Sequence, residues 1–418
     1  MTTAAATSFG AFVIAAAAAG RLVVQPRMGF SDPRRMRAGL ERTKFAAATT
    51  VGTITLDSYT RLNDHRAVRR ALAGGTPLNG YPIVAYPLNQ TRALLDGVLD
   101  ASFPIQVRHG SSRPQQIIRA LTAAGLDATE GGPISYCLPY GRTPLRESVS
   151  NWEAACHLLA ERVAPPRKPH LETFGGCLLG QLCPPGLLVA VSVLEARFFA
   201  QHGIGSVSLS YAQQTDPAQD EEAVRALRRL AGEFLPAEVD RHVVLYAYMG
   251  VYPTSARGAR RLLETAAELA VRSGAERLIV KTVAEAHRIP TVEENVAALE
   301  TAATVAAVTA RPGGTGPVAD TGVYTEARTL VEAVLELDAD IGRALCAAFA
   351  RGVLDVPYCL HPDNAGRARS YIDDGGRLRW AAVGRMPIRP ATTPGDRAEM
   401  TSARLLSALH HVARSFDG

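Results

Sequence analysis

Residues 207–248 read VSLSYAQQTDPAQDEEAVRALRRLAGEFLPAEVDRHVVLYAY, and the alternation inside this stretch decides the fold. Val207–Tyr211 and Val243–Tyr248 are short runs rich in β-branched and aromatic residues, the composition of strands. Between them, Asp220–Phe234 puts Val224, Leu227, Leu230 and Ala231 on one stripe with charges opposite, as in a helix with one buried face. Strand, long helix and strand in that order are the unit of a parallel sheet.

Outward from this unit the pattern repeats. Arg21–Gln25, Thr49–Leu56, Pro82–Tyr86, Ile105–Arg108, Pro133–Cys137 and Arg277–Thr282 bring the strand runs to eight, the number that closes a (β/α)8 barrel. Leu171–Phe174 is a ninth candidate. Ala256–Gly274 and Glu293–Thr309 read as Ala-rich helices, residues 311–316 (RPGGTG) as a break, and Thr325–Ala350 as one further long helix. The expected architecture is an α/β TIM barrel over residues 1–350 with a small C-terminal extension over 351–418. That extension contains a loop-rich piece, DVPYCLHPDNAG (355–366), and a last helix near Thr401–Ser415.

Composition limits the function. Charged residues make up 20% of the 418 positions and the net charge is +5, too weak an imbalance to argue for a nucleic-acid or membrane partner. The cysteines (Cys137, Cys156, Cys177, Cys183, Cys346, Cys359) form no C-x-x-C pair and have no zinc-ligand spacing, so they read as reduced thiols of a cytoplasmic protein. The apolar run Phe12–Ala19 has no basic residue before it, which argues against a signal peptide. It reads as an Ala-rich helix stopped by Gly20.

The chemistry gathers where predicted strands end. Arg27 follows the first run in QPRMG, Arg61 follows the second in TLDSYTR, Arg108 closes the fourth in IQVRHG, and Lys281 lies in the last in LIVKT. Barrel active sites are built at that C-terminal mouth. A single arginine there is ordinarily a strand cap or a surface partner. Three at equivalent positions make a site for a small molecule with more than one carboxylate, which a guanidinium grips through its planar fork. In TEGGPISYCLPYGR (129–142), Glu130 precedes two glycines, and Tyr136 and Tyr140 flank Pro139. A carboxylate there can hold a substrate ammonium while the phenols orient carboxylate oxygens. The same letters also describe a glycine turn with two half-buried tyrosines. His109, beside Arg108, is the histidine placed in the site. No G-x-G-x-x-G, P-loop or H-E-x-x-H occurs, so no phosphate site and no metal is expected. The cobalamin-binding D-x-H-x-x-G pattern is absent too, since Leu245 stands where Asp240 and His242 would need a glycine.

The ordered series QPRMG, DSYTR, LNGYP, QVRHG, EGGPISYCLPY, ETFGG, CPP and IVKTVAEAHRIPT resembles the epsilon (large) subunit of glutamate mutase, also called methylaspartate mutase. VPYCLHPDNAG is a weaker echo in the tail. The resemblance implies a TIM barrel that rearranges L-glutamate reversibly to (2S,3S)-3-methylaspartate by adenosylcobalamin-dependent radical chemistry. By motif, Arg27, Arg61, Arg108, His109, Glu130, Tyr136 and Tyr140 match substrate-binding positions, with Glu130 the catalytic carboxylate. Gly29, Asn79, Pro139, Tyr252, Lys281, Glu285 and Ile289 match positions lining the cofactor. The missing D-x-H-x-x-G implies a separate small (sigma) subunit carrying cobalamin, two copies assembling with two large subunits. The chain departs from the family where the usual H-Q-W-M-G-G-F-P reads YAYMGVYP, with Tyr252 for a phenylalanine, and around Phe174. Two other readings remain: a cobalamin-independent lyase or aldolase on an amino dicarboxylate using Lys281 as a Schiff-base amine, and a catalytically silent glutamate-binding subunit.

Overall fold

Eight short strands carry the chain around a closed ring. The computed structural model describes residues 8–139, 141–176, 182–311, 320–389 and 400–418. The strands are β1 (Val23–Gln25), β2 (Gly52–Thr55), β3 (Ile105–Arg108), β4 (Ala128–Gly131), β5 (His170–Thr173), β6 (Ser206–Ala212), β7 (Asp240–Tyr246) and β8 (Arg277–Ile279). All pair in parallel in the order β1-β8-β7-β6-β5-β4-β3-β2. A parallel bridge between Val24 and Thr50 closes the ring, with Val24 N donating to Thr49 O at 2.9 Å. The fold is a (β/α)8 barrel, as the alternation at 207–248 requires.

Two predicted strands are not strands. Residues 82–86 form a turn, Tyr86 N donating back to Pro82 O, and only Tyr81 just before them bridges to Leu56. Pro82 has no N–H to give a ladder. Residues 133–137 turn as well, because the buried Glu195 takes the N–H groups of Ile134 and Ser135 at 3.1 and 2.9 Å. The strand in that region is β4 instead, whose sequence ATEG shows little strand composition. The ninth candidate, Leu171–Phe174, is β5 shifted by one residue. The predicted eight therefore survive because two misplacements offset two omissions, and Arg108 closes the third strand, not the fourth.

Helix boundaries follow local chemistry. Ala256–Ser273 ends on Gly274 in the left-handed region (φ 78°). The stretch predicted as one helix over 325–350 is two, Val323–Leu335 and Ile341–Arg351. Asp340 starts the second by accepting from Arg343 N at 2.8 Å, a cap that no helix interior can supply. The last helix likewise splits at His410 into Ser402–Leu409 and His411–Asp417. An antiparallel hairpin, β9 (Arg369–Ile372) with β10 (Leu378–Ala382), docks through Gln219, which pairs with both backbone groups of Leu378. The Ala-rich helix Phe9–Ala18 ends before Gly20 (φ 74°) and covers the end of the barrel where strands begin. Phe9 is fully buried there against the His170 ring (5.1 Å) and the Arg277 guanidinium (5.0 Å). Among the described residues no helix is long and apolar enough to cross a membrane.

Inside the ring the filling is polar rather than aliphatic. Arg277 and Glu172, both fully buried, form an ion pair. Gln25 donates to Thr53 Oγ1 (2.8 Å) and Gln106 Oε1 (2.9 Å), Gln106 donates to Glu172 (3.2 Å), and Ser208 bridges Arg277 (3.0 Å) and Glu172 (3.1 Å). Burial alone would raise the Glu172 carboxyl, but the Arg277 and Arg108 guanidiniums outweigh it and hold it below its ordinary value. Removing one partner strands a buried charge. Arg277→Leu is expected to cost about 3–5 kcal/mol of stability, read as a lower denaturation midpoint, while Arg277→Leu with Glu172→Leu recovers much of that loss. A single variant as stable as the parent would contradict the pairing.

Candidate active site

Strand ends deliver the functional side chains to one mouth. Arg108 is the last residue of β3 and Glu130 sits in β4, 4% and 2% exposed, and Arg108 Nε donates to Glu130 Oε2 at 2.6 Å. Glu130 also accepts from the Tyr136 hydroxyl, and the Tyr246 hydroxyl oxygen lies 3.0 Å from its Oε2. Burial disfavours a charged Arg108, but the Glu130 carboxylate outweighs it and raises the guanidinium's pKa well above the ordinary value. Tyr246, the last residue of β7, takes a third contact from Arg108 Nη2 at 3.2 Å and donates to Glu172. It thus joins the mouth to the polar filling beneath.

His109 lies flat on Trp152 (ring centroids 5.9 Å, 14°) and edge-on to Tyr136 (5.3 Å). Its Nδ1 accepts from Ser111 N at 3.0 Å. Burial, with Arg108 adjacent, pushes its pKa down to about 3, so the ring is neutral and carries its proton on Nε2. That buried Nε2 has no partner among the described residues. Arg61 ends the turn Ser58–Arg61 that follows β2, and its side chain crosses Gly110: a Cβ there would sit 2.7 Å from Arg61 Cδ. Asn79 is exposed and spent on the same turn, accepting from Ser58 N (2.9 Å) and donating to Ser58 Oγ (2.6 Å).

A second group forms beyond β1 and β8. Arg27 and Lys281 approach Glu285 at 3.8 and 3.7 Å, and Lys281 Nζ lies 4.8 Å from the Tyr252 ring. Burial, then the Arg27 charge, bring the Lys281 amine down to about 8. The Tyr252 hydroxyl is buried without a partner among the described residues. Gly29 packs on β2 so closely that a Cβ would meet Thr55 O at 2.2 Å. Pro139 is half-buried in the loop after β4, and Ile289 is 57% exposed. Tyr140 lies outside the described residues, as does Cys177.

The loop carrying Tyr136 is held from both ends of the chain's order. Glu195 grips residues 134–135 from below, also accepting from Ser135 Oγ at 2.9 Å. Gly131 and Gly132 leave no room for side chains, since a Cβ would sit 2.3 Å from Trp152 and 2.1 Å from Glu195 Oε1 respectively. From the tail, His361 Nε2 bonds Thr143 O at 3.0 Å and Asp363 Oδ2 accepts from Leu145 N at 2.7 Å. Sequence reasoning missed Tyr246, Glu172 and Glu195. Tyr246 and Glu172 both lie in quoted motifs, YAYMGVYP and ETFGG, at strand positions where arginines alone were sought.

Burial pushes the Glu195 carboxyl up to about 7, against its hydrogen bonds from Ser135 and Ile134. The folded chain therefore holds this proton more tightly than the unfolded chain. The stability it contributes is complete below the ordinary carboxylate value and is lost as pH rises through about 7. Glu195→Gln keeps an acceptor for the loop but cannot ionise. Its melting temperature is expected to fall less than the parent's between about pH 5 and about pH 8; equal falls would contradict this.

With this geometry in view, three comparisons bear on identity. The family described as methylaspartate mutase E chain matches residues 4–404. The glutamate mutase epsilon subunit of Haloarcula marismortui is 31% identical over 84% of this chain and 72% of its own length. That of Halobacterium salinarum is 32% identical over 83% and 74%, and that of Escherichia coli O157:H7 is 29% identical over 80% and 72%. A solved N-acetylneuraminate lyase from Aliivibrio salmonicida aligns over 95% of this chain and 97% of its own at 12% identity and a TM-score of 0.32, too distant to argue from. A matched length that takes in every strand of the barrel and the whole mouth places the chain in the methylaspartate mutase E chain family, the large subunits of glutamate mutase.

Proposed function

We propose that this chain binds L-glutamate and, with a separate small cobalamin-binding subunit, interconverts it with (2S,3S)-3-methylaspartate, in an assembly of two large and two small subunits. The observation that carries the reading is the buried Arg108–Glu130–Tyr136 cluster at the barrel mouth, a cation and a carboxylate set 2.6 Å apart in a chain of this family. Such a pair suits a zwitterion that brings both charges. A substrate carboxylate takes the Arg108 fork, flanked by Arg61 and Arg27, and the ammonium takes Glu130 in place of Arg108. The His109 Nε2 proton, unspent in the empty site, is a neutral donor for a carboxylate oxygen. Tyr136 and Tyr140 orient those oxygens, and Tyr246 fixes the Glu130 carboxylate from beneath.

The residues around Lys281 fit an adenosyl group. A buried amine and a carboxylate 3.7 Å apart match the donors and acceptors of ribose hydroxyls, and the unpartnered Tyr252 hydroxyl offers one more polar contact. When bound, adenosylcobalamin supplies the radical chemistry that the protein side chains lack. Gly29, Asn79, Pro139 and Ile289 complete that lining in this reading. The aromatic wall of Trp152, Tyr136, Phe174 and Tyr246, with Tyr136–Phe174 centroids 5.1 Å apart, keeps water from the reacting carbons. Residues 1–350 act as the catalytic barrel and 351–418 as its extension, in the cytoplasm.

The test mixes this chain with a small subunit, adenosylcobalamin and L-glutamate and follows 3-methylaspartate. Product formation is expected, and its absence with a partner shown to bind sinks the reading. Arg108→Lys is expected to lower kcat/KM by roughly 100-fold, because an ammonium cannot reproduce the fork; near-normal turnover would remove Arg108 from the clamp. The lowered Lys281 amine favours one second reading, the cobalamin-free Schiff-base enzyme. Borohydride trapping of substrate on Lys281 without cobalamin would establish that reading in place of the mutase.

A further inference from the structure

The helices Leu145–Arg162 and Pro185–Gln201 each run down to the start of the next strand, so both end on the face opposite the mouth. Glu153 and His157 stand one turn apart on the first, and His202 is the residue at which the second stops. His157 Nε2 and His202 Nδ1 lie 3.3 Å apart, with their rings edge to face at 73°. The ligand atoms of Glu153, His157 and His202 all lie within 4.8 Å of one another.

A separation of 3.3 Å is long for an N–H···N hydrogen bond between two rings. It is the spacing of two imidazole nitrogens on one tetrahedral zinc, since nitrogens about 2.0–2.1 Å from the metal are about 3.3 Å from each other. A neutral imidazole offers one ring nitrogen lone pair as a ligand, and the two facing nitrogens here are those that lie closest together. Glu153 has no ion pair among the described residues. The second helix ends at His202 and turns its carbonyl end toward this spot, a field that favours a cation.

We propose that Glu153, His157 and His202 bind one divalent cation of borderline softness, such as Zn2+, through two imidazoles and a carboxylate, with the fourth position open to water. The N-terminal face of a barrel carries stability rather than catalysis, and the bound ion ties together the ends of two helices. One of them bears Trp152, on which His109 lies. The site is independent of the substrate cluster, so it stands or falls separately from the mutase reading.

The test titrates Zn2+ alone into the metal-free full chain by calorimetry and follows thermal unfolding in parallel. One ion per chain at roughly micromolar Kd and a raised melting temperature are expected. His157 is exposed, so His157→Ala should fold; it is expected to weaken binding at least about 10-fold and abolish the thermal shift, as is His202→Asn. Cys346→Ser, removing a half-buried thiol, is expected to change neither. No saturable binding up to about 100 µM, or unchanged affinity in both histidine variants, overturns the proposal.

Discussion

The ion pair between Arg277 and Glu172 is the constraint on which the rest of the molecule depends. Two full charges inside a barrel are tolerable only when their own lone pairs and protons find partners. That requirement explains the unusual interior, where Gln25, Gln106, Ser208 and His242 surround the pair and aliphatic residues are pushed to the outer layer. It also sets the geometry above. Tyr246 donates to Glu172 and contacts Glu130 and Arg108, so the position of the Glu130 carboxylate is tied to the buried charge beneath it. The groups at the mouth are thus held from a floor in which each charge has several partners.

Below the floor, the helix Phe9–Ala18 seals the other end with Phe9 against His170 and Arg277. The ring therefore has one working opening. The Arg108–Glu130–Tyr136 cluster lies at that opening. The Arg108–Glu130–Tyr136 cluster and the Glu153–His157–His202 group lie toward opposite ends of the barrel.

The alternation of strand and helix at 207–248 was legible because long helices with one apolar stripe leave a clear period and β6 and β7 are long for this barrel. Strands β4 and β5 were harder. ATEG and HLET spend their positions on polar groups that point into the filling or the site, so composition hides the strand. Pro82–Tyr86 and Pro133–Cys137 misled in the opposite way, being apolar turns whose backbone bonds go to nearby carbonyls and to Glu195. In the site, charged residues just past strand ends were visible by position. Tyr246 was not, since an aromatic residue at the end of an apolar run reads as core until its hydroxyl partners are known. Glu195 lies in the middle of a buried helix, and nothing near it in sequence announces the loop it holds. The clasp made by His361 and Asp363 is invisible for the same reason, joining positions 218 residues apart.

That clasp has a consequence for how the molecule comes into being. The barrel's strands are all synthesised by Ile279, and its ring can close long before the tail emerges. The loop bearing Tyr136 at that stage has Glu195 beneath it and Ser112 beside Thr143, but Leu145 N still lacks its Asp363 partner. Its tail-side bonds form only when His361 and Asp363 arrive, so the chain completes its scaffold early and the fastening of this loop late. A nascent chain stalled between those two points has a closed ring with the loop at its mouth not yet fastened to the tail.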